Sequence, residues 1–110
     1  MATVMALRVD VFDDIVRDNS PRAAVLERLV GELESFPADD DREAFVHVFK
    51  DAKSILELTD LELAKELRVA RPTIGRWERG ESVPHRLARR PILMALAKMA
   101  RAKLRAHRSA

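Results

Sequence analysis

The residues best suited to do chemistry lie in one short run, Val69-Ala70-Arg71-Pro72-Thr73-Ile74-Gly75-Arg76-Trp77-Glu78-Arg79-Gly80. At 3.6 residues per turn, Ile74 and Trp77 share one side of a helix, and Pro72, Arg76 and Arg79 project from the other. Thr73 and Gly75 flank that outward face, and Arg71 points forward from the helix start. A guanidinium in the major groove of DNA bonds guanine O6 and N7 together, the commonest specific base contact. The Thr73 methyl suits a thymine methyl. Gly75, without a side chain, lets such a helix sit deep. Arg86, Arg89 and Arg90 follow closely, and phosphate contacts from them set register without reading sequence.

Other chemistries find little to work with. The chain has no Cys, which removes disulfides, thiol nucleophiles and thiolate metal sites. His47, His85 and His107 form no ligand-spaced pair. No Ser/Cys–His arrangement or Gly-rich phosphate loop is present. Asp39-Asp40-Asp41 has no partner ligands and reads as a helix-start signal. The expectation is a protein that is not an enzyme and takes no cofactor or metal.

Charge points the same way. The net charge of +2 conceals an asymmetry: residues 1–50 hold 6 Lys/Arg against 11 Asp/Glu, and residues from Arg68 onward hold 12 Lys/Arg against Glu78 and Glu81 alone. One end is suited to a polyanion and the other is not. The N-terminus reaches Asp10 too early for a signal peptide. No stretch approaches the roughly 20 apolar residues of a membrane span. The basic segment Lys98–Arg108 lacks the bulky aromatics of a membrane-surface helix. A cytoplasmic location is expected.

With five Pro, three Gly and no alternating strand pattern, the chain reads as all-α. A first helix is expected over Leu7–Arg17. A second runs from Pro21, capped by Ser20, to about Ser35, with Leu26, Leu29, Val30 and Leu33 on one face. Phe36–Asp39 marks a boundary between an extension, 1–38, and the main domain, 39–110. The third helix starts near Asp40, which has Glu43 at capping-box spacing, and ends near Leu56. Thr59 and Glu62 form a second such box for a helix ending near Leu67. There Leu61, Ala64 and Leu67 are expected to face Ile74 and Trp77. The next helix spans about Arg71–Arg79 and stops at Gly80. A basic loop then leads to a last helix from Pro91 to about His107. Trp77 is expected in the core, and His47, between apolar residues, partly buried.

Two short helices, a tight turn with Val69, small Ala64 at the crossing and a closing Gly80 make a helix-turn-helix pattern. Over Leu58–Pro84, LTDLELAKELRVARPTIGRWERGESVP resembles the phage-repressor and Cro-like (Xre-like) helix-turn-helix family. Counting flanking helices, the resemblance spans about 41–104. It implies a five-helix, lambda-repressor-like domain with an N-terminal two-helix extension. It also implies base contacts at Arg71, Pro72, Thr73 and Arg76, and phosphate contacts at Thr59, Arg79, Arg86, Arg89 and Arg90. A structural ion pair between Lys53 and Glu78 follows as well. Three positions depart from the pattern. Arg68 stands where Gly commonly takes a left-handed turn, at a cost of about 1 kcal/mol. Ala70 replaces a Ser or Thr cap, at a similar cost of about 1 kcal/mol. Asp60 replaces Gln, where a carboxylate repels phosphate unless it receives Arg71 or a cytosine amine.

The implied function is a transcriptional regulator, a repressor, bound as a homodimer to a palindromic operator in double-stranded DNA. Two alternatives stay open. One is an antitoxin that autoregulates its operon and masks a toxin with its acidic N-terminal helices. The other is a protein-interaction module that holds another regulator. The acidic extension either packs on the third helix or builds the dimer interface.

Overall fold

The computed structural model describes residues 21–37 and 41–109. The helix expected over Leu7–Arg17 and the cap expected at Asp40 lie outside them. Among the described residues there are five helices and no strand: α1 (Pro21–Ser35), α2 (Arg42–Ile55), α3 (Asp60–Leu67), α4 (Arg71–Glu78) and α5 (Arg86–Ser109). None is long and apolar enough to cross a membrane.

Local chemistry explains most of the ends. Pro21 opens α1, where its fixed φ suits the first turn. Asp41 caps α2, its carboxylate accepting from the Ala44 amide at 2.9 Å. At α3 the capping box is complete: Thr59 Oγ1 accepts from Glu62 N–H at 3.1 Å, and Glu62 Oε1 accepts from Thr59 N–H at 2.8 Å. Ala70 begins α4 with no side-chain cap. Among the described residues two non-glycines take left-handed backbone, Glu57 (φ 56°) after α2 and Arg68 (φ 59°) after α3. Both serve C-terminal closure. Leu58 N–H returns to Lys53 C=O and Val69 N–H to Ala64 C=O, at 3.1 and 3.0 Å.

Three expectations need correction. The last helix starts at Arg86, and Pro91 lies inside it rather than at its first position. The cause is His85, whose Nδ1 accepts from Leu87 N–H at 3.1 Å, while its carbonyl accepts from Ala88 N–H at 2.7 Å. A histidine acting as a cap gives no ordinary sequence signal. On α3, Leu61 is 48% exposed and Leu63 is buried in its place beside Ala64. The buried face of so short a helix is set by what α4 and α5 present to it. His47 is exposed and lies 3.2 Å from Asp51, one turn on.

A single apolar cluster joins all five helices. α1 packs chiefly along α5. Ala23, Leu26, Leu29 and Leu33 of α1 and Leu93, Leu96, Ala97, Ala100 and Leu104 of α5 are all buried in it. The α1 stripe is thereby covered within the chain, by α5 more than by α2. Ion pairs follow the same seam: Glu34 with Arg101 and Glu27 with Arg108. The acidic helix thus neutralises part of the basic one. At the other end, Phe45 and Phe49 stack at 5.7 Å. Trp77 meets both edge-on, its ring centre 6.4 and 5.5 Å from theirs.

Candidate nucleic-acid interface

α3 and α4 are joined by Arg68, Val69 and Ala70 alone. Val69 packs against the core between them. Ile74 and Trp77 anchor α4 from behind, Trp77 through its two aromatic neighbours. On the outer side Arg71, Pro72 and Arg76 are exposed, and Thr73 is half-buried. That face carries cationic donors on a helix held rigidly from the rear.

Lys53 locks this pair of helices to α2. Its ammonium lies 2.9 Å from Glu78 Oε2 and 2.8 Å from Asp60 Oδ1, so one cation ties the start of α3 and the end of α4 together. Asp60 Oδ1 has no accessible surface and no well-aligned hydrogen bond, so the ammonium is what compensates it. The carboxylate that stood as an oddity in the sequence is therefore an internal partner of a lysine. The contacts from Asp60 and Glu78 raise the Lys53 ammonium above its ordinary value. The Lys53 contact holds Asp60 below the usual carboxylate range, with the Arg71 charge adding to it.

A group whose pKa falls on folding adds stability above its unfolded value, near 3.8, and loses it as pH drops through the folded one. Wild-type protein should therefore lose urea resistance between pH 5 and pH 3 more steeply than Asp60→Asn. Parallel curves for the two proteins would remove Asp60 from the acid response.

The residues expected at phosphates are set in different ways. Thr59 stands at the exposed start of α3, its hydroxyl accepting from Glu62 N–H. Arg86 is exposed at the first turn of α5. Arg89 is only 6% exposed, and its Nε donates to Pro84 C=O at 3.0 Å. It fastens the α4–α5 loop from inside rather than offering its charge outward. Arg90 reaches the end of α1, donating to Phe36 C=O at 2.9 Å. The early start of α5 explains both, because a helix sends these neighbouring side chains to different sides.

Arg79 is the most elaborately held of the set. Its Nε and Nη2 donate to Glu81 Oε2 and Oε1 at 2.6 and 3.3 Å. The guanidinium lies back over Gly75, and a Cβ there would stand 3.0 Å from Nη1. Glu81 itself is placed by the end of α4. Gly80 turns left-handed (φ 70°), its N–H returning to Trp77 C=O at 3.2 Å. Glu81 N–H returns to Arg76 C=O at 2.9 Å. Reading the residues singly misses this arrangement. Its signals are the i, i+4 spacing of Gly75 and Arg79, and Glu81 standing directly after the closing glycine.

Among the described residues no group of His, Asp and Glu is gathered as a metal site. No protein-family model, curated protein or solved structure matches the chain.

Proposed function

We propose that this chain is a sequence-specific DNA-binding regulator of the lambda-repressor-like helix-turn-helix kind, with α4 as its recognition helix. One observation carries the reading: α4 turns Arg71, Pro72 and Arg76 outward while Ile74 and Trp77 fix it from behind, directly after a three-residue turn from α3. Arg71 and Arg76 read base edges, with Pro72 and Thr73 in apolar contact beside them. Thr59 and Arg86, both exposed at helix starts, take phosphates. The protein acts as a repressor, dimeric on two half-sites about one helical turn apart. The α1 stripe is occupied by the chain's own core, so the dimer contact lies elsewhere. The internal pairing of Asp60 with Lys53 also supports a DNA reader, because that carboxylate no longer stands unshared against a phosphate.

The test is selection of a binding site from random duplexes, followed by salt-dependent binding to the winner and to scrambled DNA. Arg71→Ala and Arg76→Ala should each cost about 1–3 kcal/mol on the selected site. Arg86→Ala should weaken all sequences alike and lower the salt slope by about one. Failure of wild-type protein to enrich any sequence would overturn the reading and leave a protein-holding module as the better account.

A further inference from the structure

The Arg79 side chain, 59% exposed, lies over Gly75 and pairs with Glu81, itself 55% exposed. A long helical side chain leans toward the helix N-terminus and covers the residue one turn back. For Arg79 that residue is Gly75, the one position of the outward face without a side chain. The guanidinium therefore lies on the helix, in the row Arg71, Gly75, Arg79, beside Arg76. A side chain at 75 would make it shift, since a Cβ would stand 3.0 Å from Nη1, tighter than ordinary contact. Glu81 then fixes the plane of the group by taking its Nε–H and one Nη2–H. The left-handed Gly80 and the Glu81 N–H to Arg76 C=O bond aim that carboxylate.

The chemistry of what remains decides the role. A guanidinium has five N–H donors in a rigid fork. With Glu81 on the Nε/Nη2 side, the Nη1/Nη2 end still presents a second pair of parallel donors. That pair matches guanine O6 and N7 in the major groove. A phosphate takes the same two-donor fork, but at a guanine edge the pair must also lie in the plane of the base, which a guanidinium with a set plane supplies.

We propose that Arg79, seated over Gly75 and oriented by Glu81, is a base-reading residue that selects a guanine, not a phosphate contact. Gly75 and Glu81 are its positioning residues. The inference rests on the DNA-reading role of α4 proposed above. It also revises the meaning of Gly75: the glycine makes room for an arginine of its own helix.

The experiment uses the full chain, the selected duplex and its complete set of single-base-pair substitutions, with binding followed by anisotropy at two salt concentrations. Arg79→Ala should reduce discrimination at one G·C pair from tenfold or more to about twofold, leaving the other positions unchanged. Glu81→Ala should relax the same pair while leaving affinity for scrambled DNA equal or higher, since it removes a negative charge. Gly75→Ala should relax that pair too, yet hold or raise the thermal midpoint, because alanine favours helix over glycine. A purely structural glycine would not separate stability from specificity in this way. If Arg79→Ala instead weakened every duplex by the same factor and lowered the salt slope by about one, Arg79 would be a phosphate contact and the inference would fall. The reading of α4 would survive that result. It would fail only if wild-type protein selected no site.

Discussion

Replacing Phe49 by alanine should lower the folding free energy by about 3–5 kcal/mol, the range for removing a buried aromatic ring. Phe49 is fully buried, stacked on Phe45 at 5.7 Å and met edge-on by Trp77 at 5.5 Å. The variant loses the transfer energy of the ring, leaves a cavity and breaks two aromatic contacts at once. Against a typical total of about 5–15 kcal/mol, that is a large share. Urea unfolding followed by Trp77 fluorescence would measure it as a lower midpoint at unchanged slope. Phe49→Leu, which keeps most of the apolar volume, should lose clearly less. A cost under about 1 kcal/mol for the alanine variant would mean that the cluster does not anchor α4, since core truncations cost more than that. Under the proposed DNA-reading role the effect would reach binding too, because Trp77 is the rear support of the helix that carries Arg71 and Arg76.

Lys53→Met should cost about 2–3 kcal/mol. That lies between the roughly 1 kcal/mol of an exposed pair and the 3–5 kcal/mol of breaking a buried one. The intermediate value follows from burial: the three side chains of the cluster are 21–32% exposed. The methionine keeps the stem of the lysine but leaves two carboxylates without their shared cation. Lowering the pH should narrow the gap between variant and wild type, because protonating Asp60 relieves an uncompensated charge in the variant and breaks a pair in wild type. Adding Asp60→Asn and Glu78→Gln to Lys53→Met should recover most of the loss. If the triple variant were no better than Lys53→Met, the lysine would be contributing packing, and the ionic link between the two short helices would carry little.

The two effects differ in how openly the chain announced them. The apolar periodicity of Phe45, Phe49 and Trp77 marks them for a core, since burial of bulky rings depends little on which neighbour is met. Lys53 was marked only by resemblance, as the partner of Glu78, and Asp60 carried no such mark. Alone, Asp60 looks like a helix-start carboxylate turned toward solvent. It becomes an internal partner only because the end of α2 carries the Lys53 ammonium to 2.8 Å from its Oδ1. The arginines followed the same division. Arg76 stands on the outward face that periodicity assigns it, and Arg71 is exposed at the helix start. In a loop, Arg89 and Arg90 would be equivalent to Arg86. A capping histidine converted that loop into helix, and the helix sent them to Pro84 and Phe36.

Local signals alone determine that the described residues are helical, and where most of these helices begin and end. Pro21, the Thr59–Glu62 box and the left-handed Gly80 act on amides within one turn, so their effect needs no distant partner. The sequence also determined which side of Arg71–Glu78 faces inward, because periodicity alone separates Ile74 and Trp77 from Arg76. Only the tertiary structure decided what the charged residues meet. Lys53 joins Asp60 and Glu78 across 7 and 25 positions, and Arg108 joins Glu27 across 81. Such partners are chosen by how the helices cross, and a long charged side chain suits many neighbours equally well until packing selects one. The seat of Arg79 falls between these cases. Its spacing to Gly75 is local, but only the turn at Gly80 brings the Glu81 carboxylate back to hold it.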